Sequence, residues 1–447
     1  MASKTLPEPL SAKYKDSFAY KTLSYRLPVI ITKVIDLLCR QRKEITSIDL
    51  QLPSDQQTEA EEETKQLIEE LAKLKYELQT NKPIKPIIST LPDAKAWNDL
   101  LADEYRKNND VTYYNVIWLL SECYFYRMMR EIFIRSKYFQ NFDHFFTAKK
   151  ESFKLCIKPA EKLATHLLSL SNDEQSFDQE STFKFYTMHS LWGNKLDLSI
   201  SCGERNQTGD FDLNELESKI LVNDLKNFWY YLKQLSTNIN DKQSYRIDII
   251  LDNAGYELFT DFCWLEAMHT IGLLPKDKII VHIHVKCMPW FVSDTMTNDI
   301  KWLLKYINDT PEISSNLKNL NNRFNENFRH RRWIVEEHDF WTLPHDYAQM
   351  SRIAPELYQN LCNESCLVLF KGDLNYRKLI GDLKWDIGTS FKQALREFQP
   401  KAICALRTIK ADVVVDINDP ITIERIKQFP KDWMEIGEYA VIHFLKN

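Results

Sequence analysis

Polar side chains gather where two apolar segments of the chain end. The segment RIDIILDNAGYE (246–257) runs from a β-branched stretch directly into Asp252 and Asn253, and Asp294 follows the next aliphatic stretch along the chain. Carboxylate and carboxamide oxygens are the ligands that hard or borderline divalent cations take in proteins. The residue types therefore predict a metal held by Asp252, Asn253 and Asp294.

Two further aliphatic segments end in cations and hydrogen-bond donors. These residues are Lys371, Asp373, Asn375, Arg377 and Lys378 after the first segment, and Arg407 and Lys410 after the second. Arginine and lysine neutralise a phosphate dianion, and a metal beside a cationic cradle is suited to hydrolysing a phosphate ester. Asp-Asn and Gly-Asp pairs also form simple turns. Four polar clusters at four segment ends favour a site over four unrelated turns.

The elements that position these residues read as a parallel sheet. After about residue 190 the predicted strands are 196–200, 246–252, 278–286, 366–371, 402–408 and 412–417. A helix-length segment between 252 and 278, which Gly272 stops, predicts a right-handed strand–helix–strand crossover. In open α/β sheets, ligands bind at the carboxyl ends of the strands. The clusters therefore fall at the edge where a ligand is expected.

The first 190 residues or so have a helical pattern. Apolar residues recur at helical spacing in three segments, which are 26–45, 59–80 and 115–134. In the third, Glu122, Tyr126 and Arg127 share neighbouring faces and form either an internal ion pair or part of a pocket. We predict a helical domain over 1–185 and an α/β metal-binding phosphatase domain over 186–447, with the polar segment 170–179 as the loop between them.

Composition excludes several classes of function. The 447 residues carry a net charge of −5 without a dominant basic block, which argues against binding nucleic acid. No apolar stretch reaches the roughly 18 residues of a membrane span, and no signal segment precedes the first helix. The nine cysteines form no CxxC pair, so reduced thiols are expected in place of zinc. The sequence predicts a cytoplasmic or nuclear protein and leaves its oligomeric state open.

His282 and His284 alternate on one face of a predicted strand. Alternate histidines of this kind can bind a metal, but their position inside the strand favours packed or hydrogen-bonded core residues.

Several motifs together resemble one known family. The segments WLLSECYFYR, LWGNKLDLSI, DIILDNAGYELFTD, PWFVSD, LFKGDLNYRKLIGDLKW and ALRTIKAD occur in order over nearly the whole chain. They resemble the metal-dependent damage-control phosphatase family, in its eukaryotic branch of sugar phosphate phosphatases, also named acidic residue methyltransferases. The resemblance implies a helical region packed on a three-layer α/β/α domain with a mostly parallel sheet. It also implies a divalent Mn²⁺, Co²⁺ or Ni²⁺ ion, with Mg²⁺ as a further option.

The activity implied is hydrolysis of small phosphate esters such as fructose 1-phosphate and fructose 6-phosphate, in metabolite damage control. The alternative is S-adenosylmethionine-dependent methylation of protein glutamates. By resemblance, Asp252, Asn253 and Asp294 are the metal ligands. The substrate contacts implied in the same way are Asp252, Asn253, Asp373, Leu374, Asn375, Tyr376, Arg377 and Lys410.

The attacking group and the role of Glu257 stay open. Metal-activated water is favoured over Asp252 as the nucleophile, because Ala254 stands where aspartate-based phosphatases place a second acid. Glu257 is predicted as a catalytic base that orients this water, or as an acidic residue favoured at a helix N-terminus. The family resemblance instead associates its position with S-adenosylmethionine.

Overall fold

The sheet of the protein has seven strands. A computed structural model describes residues 6–170, 178–201, 213–238 and 244–447. The strands are β1 (Ile220–Asn223), β2 (Tyr245–Ile250), β3 (Ile279–Val285), β4 (Trp333–Glu337), β5 (Ser365–Lys371), β6 (Ala402–Thr408) and β7 (Ala440–Lys446). They lie in the order β1-β7-β6-β5-β2-β3-β4.

Five neighbouring strands of this sheet are parallel. β2 pairs with β3 and β5, β3 with β4, and β5 with β6, all in parallel. β7 is antiparallel to β6, and β1 is parallel to β7, so the two strands at one side run in the opposite direction. The prediction of a mostly parallel α/β sheet is confirmed. The ends of β2, β3, β5 and β6 therefore meet at one edge.

Helices precede the sheet in the chain. Up to residue 201 they are Phe18–Lys21, Leu27–Arg40, Arg42–Glu44, Ser54–Gln79, Ala94–Lys107, Trp118–Ile134, Phe146–Leu155, Ile157–Ser169 and Gln179–Ser201, with π-helical turns at Thr22–Arg26 and Ile45–Asp49. In Ser54–Gln79 the leucines at helical spacing, which are Leu67, Leu71, Leu74 and Leu78, are buried. The three helical segments predicted in this half are confirmed.

Further helices lie just before β1 and between the strands. They are Leu213–Ser218, Leu225–Thr237, Tyr256–Thr270, Thr297–Asp309, Ser315–Arg329, Met350–Ile353, Pro355–Gln359, Asp373–Ile380, Phe391–Leu395 and Pro420–Ile426, with a π-helical turn at Asn360–Glu364 and 3-10 turns at Asp339–Thr342 and Tyr347–Gln349. Tyr256–Thr270 joins β2 to β3, as the crossover prediction requires.

Two hydrophobic cores lie on opposite faces of the sheet. Side chains of a strand alternate between faces, and in β2 Ile250 joins one core while Ile247 and Ile249 join the other. The first core includes the helix Trp118–Ile134, and the second includes the helix Tyr256–Thr270. The sheet is thus the middle layer between helices, and it carries the strand ends to a position beside the helices of the N-terminal half.

Two strand predictions are wrong. Residues 196–200 continue the helix Gln179–Ser201, since a short apolar run does not by itself distinguish a strand from part of a helix. Residues 412–417 pair with no strand, although Val413, Val414 and Val415 are buried. The Arg407 guanidinium accounts for this path, because it binds the carbonyls of Ala411 and Val413 that a strand would have paired.

Three strands, β1, β4 and β7, were not predicted. β1 and β4 are the edge strands of the sheet and are only four and five residues long, so their hydrophobic signal is weak. Most of the predicted loop 170–179 lies outside the described residues. The helix Gln179–Ser201 passes through the boundary at 185, and the division into 1–185 and 186–447 stays a prediction.

Candidate active site at the strand ends

The backbone brings the predicted metal ligands together just beyond β2. Asn253 and Asp294 form an isolated antiparallel bridge. Ala254 N–H donates to the Ser293 carbonyl at 2.7 Å, and Thr295 N–H donates to the Asp252 carbonyl at 2.8 Å. Asp252, Asn253 and Asp294 therefore occupy one site although they follow different strands.

Strained backbone precedes Asp294. Phe291 and Val292 both have positive φ, of 43° and 71°, which is uncommon for any residue with a β-carbon and most costly for a β-branched one. Such strain persists only where the surroundings enforce it, and it clusters at functional sites. Here it turns the chain so that the Ser293 hydroxyl donates to Asn253 Oδ1. The strained pair thus places Ser293 and Asp294 against the end of β2.

Negative charge is concentrated at this edge of the sheet. Burial, followed by the charges of Glu257 and Asp294, raises the pKa of Asp252 well above its usual value, and burial also raises the pKa of Asp294. Lys286 Nζ lies 3.1 Å from Asp294 Oδ2. Asp252 has no ion-pair partner in the described part of the chain. A cation beside Asp252 would therefore relieve the cost of its ionised form.

The residues present fit a divalent cation. Asp294 Oδ2 is buried and accepts no well-aligned hydrogen bond from a described residue, although the Lys286 ammonium lies 3.1 Å away. Gly372 leaves space on the other side, since a β-carbon there would lie 2.0 Å from Asp252 Cγ and Oδ2. The two carboxylates and the carboxamide offer only oxygen atoms as ligands, and these suit a hard divalent cation. Asp252, Asn253 and Asp294 thus form a candidate centre for such an ion.

The ends of β5 and β6 contribute the cationic side of the site. The Asp373 carboxylate accepts hydrogen bonds from the Arg407 guanidinium at 2.8 Å and from the Lys410 backbone N–H at 3.0 Å. The Lys410 ammonium forms no ion pair or hydrogen bond with any described residue. Asp373 therefore holds the backbone of Lys410 and leaves its charge free for an anion.

Arg377 is committed to other partners. Its guanidinium binds Asp382 through two hydrogen bonds of 3.0 and 2.9 Å, binds Glu122 at 2.8 Å and lies 3.5 Å from the centre of the Trp118 ring. The two carboxylates raise its pKa. Glu122 thus both forms an ion pair and lines the cavity described below. Its partner is Arg377, whereas Arg127 pairs with residues elsewhere in the helical half.

A cavity of about 280 Å³ opens over the strand ends. The sequence-predicted residues that line it are Asp252, Asn253, Asp294, Asp373, Leu374, Arg377 and Lys410. The helices of the N-terminal half also line it, through residues that include Phe18, Thr22, Arg26, Leu27 and Tyr126 and that we call the helical wall. The sequence analysis missed the helical wall apart from Tyr126, because residues at helical spacing look alike whether they face a core or a cavity.

Glu257 does not line this cavity. It is buried, and its carboxylate accepts a hydrogen bond from Asn253 Nδ2 at 2.8 Å and lies 3.2 Å from Lys371 Nζ. Lys371 in turn binds Asp261 at 2.8 Å and the hydroxyl of Ser190 at 2.9 Å. A buried polar chain therefore links the carboxamide of Asn253 to the helix Gln179–Ser201.

Asn375 and Tyr376 also lie outside the cavity. The Asn375 carboxamide accepts a hydrogen bond from the Tyr347 hydroxyl at 2.6 Å and donates to the Lys371 carbonyl at 2.8 Å. The Arg407 guanidinium lies over the Tyr376 ring, with its central carbon 4.2 Å from the centre of the ring. In this geometry both residues support the strand ends, and their predicted substrate contacts stay predictions.

A second cluster with acidic residues, which we call the second acidic group, lies on β2, β3 and β4. Ligand atoms of Asp248, His284 and Glu336 all lie within 4.8 Å of one another and could hold a metal ion. The Arg246 guanidinium already binds both Asp248 oxygens at 2.8 and 2.7 Å, and His282 Nδ1 lies 2.6 Å from Glu336. His284 Nε2 lies 2.7 Å from Asp248 Oδ1, so both histidines are hydrogen-bonded, as predicted, and the Arg246 guanidinium also lies 3.4 Å from Glu336.

Comparison with known proteins identifies the family. Residues 22–425 match the model of the damage-control phosphatase ARMT1-like domain. The chain belongs to the damage-control phosphatase ARMT1-like family. Curated members named damage-control phosphatase ARMT1 are 38% identical in Xenopus tropicalis, 37% in Danio rerio and 36% in Homo sapiens, and the matches cover 97–98% of each protein and 98% of this chain.

Family membership confirms the resemblance noted from the sequence. The chain is a phosphatase, and the cavity at the strand ends is its candidate active site. None of the helices formed by the described residues is both long and apolar enough to cross a membrane.

Proposed function

We propose that this phosphatase hydrolyses small phosphate esters in the cavity over the strand ends, with a divalent metal ion held by Asp252, Asn253 and Asp294. One observation supports this most directly. The buried carboxylate of Asp294 and the half-buried carboxylate of Asp252, both with raised pKa values, face the same cavity as the Lys410 ammonium, which pairs with none of the described residues. Adjacent cation-seeking and anion-seeking groups suit a metal and a phosphate bound side by side.

Each residue of the site has a role in this proposal. The metal, when bound, would polarise the phosphoryl group and make water more acidic. Lys410 would bind a non-bridging phosphate oxygen, and Asp373 would hold Lys410 in register. Ser293 would orient the Asn253 carboxamide through its hydroxyl. The Glu257 carboxylate, already bonded to Asn253 and Lys371, would position Asn253 instead of accepting a proton from water.

The proposed substrates are sugar phosphates, with fructose 1-phosphate and fructose 6-phosphate foremost, and the proposed metals are Mn²⁺, Co²⁺, Ni²⁺ or Mg²⁺. A cavity of about 280 Å³ is of the size that a small phosphate ester requires. We place the enzyme in the cytoplasm or nucleus, a proposal supported by the thiol state of described cysteines such as Cys123, Cys263 and Cys404. No contact among the described residues favours methyl transfer, since Glu257 is enclosed by polar partners.

Metal dependence gives the test. Protein treated with a chelator should lose phosphate release from both fructose phosphates and regain it with Mn²⁺, Co²⁺ or Ni²⁺. Asp294→Asn should bind no Mn²⁺ by calorimetry and show no rescue. Glu336→Gln, which alters only the second acidic group, should behave like the wild type. Mn²⁺ binding that survives Asp294→Asn and disappears in Glu336→Gln would place the metal at the wrong group and refute the proposal.

A further inference from the structure

One acid of the cavity lining has no part in the proposed metal and phosphate sites. Asp252 and Asp294 belong to the metal site, and Asp373 holds the backbone of Lys410. Glu122 also lines the cavity, from the helix Trp118–Ile134, and only 5% of its surface is exposed. Burying a carboxylate is costly unless its charge and its hydrogen-bonding oxygens find partners. The partners of Glu122 therefore indicate what it does in the cavity.

The two carboxylate oxygens of Glu122 have different surroundings. Arg377 Nη1 donates a hydrogen bond to Glu122 Oε2 at 2.8 Å. Glu122 Oε1 accepts no hydrogen bond from a described residue, and yet protein atoms do not enclose it fully. Burial raises the pKa of Glu122, whereas the charges of Arg377 and Arg26 lower it and so favour the ionised carboxylate. Glu122 thus presents one fixed, unoccupied acceptor oxygen to the cavity.

Arg377 places Glu122 near the proposed phosphate site without making it part of that site. Asp373 and Arg377 lie four residues apart in the helix Asp373–Ile380, which puts them on the same face at roughly 5–6 Å between their β-carbons. Asp373 holds Lys410, and Arg377 holds Glu122. The acceptor oxygen of Glu122 is therefore about one helical turn away from the group that holds the phosphate-binding lysine.

The aromatic contacts of the same helix place Glu122 beside the metal site. Tyr126, one turn after Glu122, stacks on Phe291 with 4.6 Å between ring centres, and Phe291 belongs to the strained backbone before Asp294. Among the described residues, Glu122 forms no group with Asp252 and Asp294 in which all three ligand atoms lie within 4.8 Å of one another. Glu122 is thus a neighbour of the metal ligands and not a third carboxylate of their group.

An acceptor oxygen in this position suits only some parts of a substrate. The phosphate group is itself anionic, and the Glu122 carboxylate would repel it. A hydroxyl group on the alcohol part of the ester can donate to Oε1, and such a charge-assisted hydrogen bond is about twice as strong as a neutral one. A site built to bind a hydroxyl group rejects an analogue that lacks it, because the buried acceptor is then left unpaired.

We propose that Glu122 is a specificity-determining residue that accepts a hydrogen bond from a hydroxyl group of the sugar. It would select phosphate esters of polyhydroxylated alcohols over esters of simple alcohols. This role of Glu122 rests on the proposed function, because the position of the phosphate comes from it. The fructose phosphates carry the hydroxyl groups that the role requires.

Turnover by the full-length, Mn²⁺-loaded protein tests the role of Glu122. The two substrates are fructose 6-phosphate and butyl phosphate, which are both esters of a primary alcohol, and only the first carries hydroxyl groups. The wild type should prefer fructose 6-phosphate in kcat/KM by about tenfold or more, as for a hydrogen bond to a charged group. Glu122→Gln should reduce this preference by about fivefold or more, chiefly through a raised KM for fructose 6-phosphate, and should bind Mn²⁺ as the wild type does.

Asp382→Asn is the matched control. It also removes one acidic partner of Arg377, whose guanidinium lies 2.9 Å from Asp382, but Asp382 does not line the cavity. We expect this variant to keep the preference for fructose 6-phosphate. An equal loss of preference in Asp382→Asn and Glu122→Gln would assign the effect to the Arg377 ion pairs and refute the role of the Glu122 oxygen.

The remaining outcomes separate the role of Glu122 from the proposed function. If both esters are hydrolysed but the wild type shows no preference, the role of Glu122 is refuted and the phosphatase site stands, whether or not Glu122→Gln folds. A preference that Glu122→Gln keeps within about twofold of the wild type has the same meaning. Equal falls in kcat for both esters would make Glu122 a catalytic acid, and loss of Mn²⁺ binding would make it a metal ligand, so either result also refutes the role. If no phosphate ester is hydrolysed with any metal, the proposed function fails and the role of Glu122 falls with it.

Discussion

Replacing Glu257 by glutamine separates a catalytic base from a positioning residue. The Glu257 carboxylate has two partners, the carboxamide of Asn253 at 2.8 Å and the ammonium of Lys371 at 3.2 Å. The carboxamide oxygen of glutamine can satisfy one of these donors, and its NH₂ group would then face the other. We therefore expect the variant to fold with a weaker link between Asn253 and the buried polar chain.

The structure sets the size of the effect. Breaking a buried ion pair costs roughly 3–5 kcal/mol when one charge is left alone. Here Lys371 keeps Asp261 at 2.8 Å, so a loss of about 1–3 kcal/mol in the free energy of unfolding is expected. A less firmly held Asn253 should weaken metal binding about five- to tenfold, which corresponds to about 1 kcal/mol. The value of kcat at saturating metal should stay within about fivefold of the wild type, whereas loss of a general base would lower it by roughly 10²–10⁴-fold.

Calorimetric titration with Mn²⁺, urea unfolding and phosphate release at saturating Mn²⁺ measure the three quantities. Asp261→Asn is the matched control, because it also removes one acidic partner of Lys371 but leaves the bond between Glu257 and Asn253 intact. It should lose similar stability and bind Mn²⁺ as the wild type does. A fall in kcat of about 100-fold or more for Glu257→Gln, with unchanged Mn²⁺ affinity, would show that Glu257 is a base and refute the positioning role.

Five other variants, in three comparisons, test the rest of the site. Because the folded pKa of Asp252 lies above its unfolded value, the cost of its ionised form to stability is complete above the folded pKa. This cost shrinks as the pH falls from the folded pKa to the unfolded pKa, below which it is absent. Asp252→Asn should therefore abolish Mn²⁺ binding yet raise the urea midpoint of the metal-free protein at neutral pH, by an amount that shrinks on acidification. Lys410→Met should lower kcat/KM by a factor that corresponds to about 2–4 kcal/mol of transition-state stabilisation, and it should leave the free energy of unfolding unchanged. Arg377→Met should lose about 3–5 kcal/mol in the free energy of unfolding, because its two carboxylate partners are left without their cation. The opposite pattern would exchange the roles of Lys410 and Arg377. Gly372→Ala places a β-carbon 2.0 Å from the Asp252 carboxylate and should eliminate Mn²⁺ binding. Gly272 has a similar positive φ, but a β-carbon there would meet no atom within 4 Å, so Gly272→Ala should show only the backbone cost of about 1–3 kcal/mol in stability. Equal losses of Mn²⁺ affinity in the two variants would argue against the close approach of Gly372 to Asp252.

The sequence by itself located the strand ends. β2, β3, β5 and β6 are β-branched or apolar runs long enough to be recognised, and parallel strands bring their carboxyl ends to one edge of a sheet. Seven predicted residues line the cavity for that reason, although their roles stay predictions. The short edge strands β1 and β4 were not predicted, since four or five residues show little hydrophobic periodicity.

Tertiary structure alone decided which charges are free. Arg377 and Lys410 look equivalent as cations after a strand. Glu122 from a distant helix and Asp382 neutralise Arg377, whereas the Lys410 ammonium pairs with no residue in the described ranges. Likewise, Glu257 follows the metal ligands closely in sequence, yet Lys371 encloses it away from the cavity. Hydrophobic periodicity is a local property that reveals where a strand ends. The partner of a charge depends on which distant elements pack beside it, and no local pattern of residues contains that information.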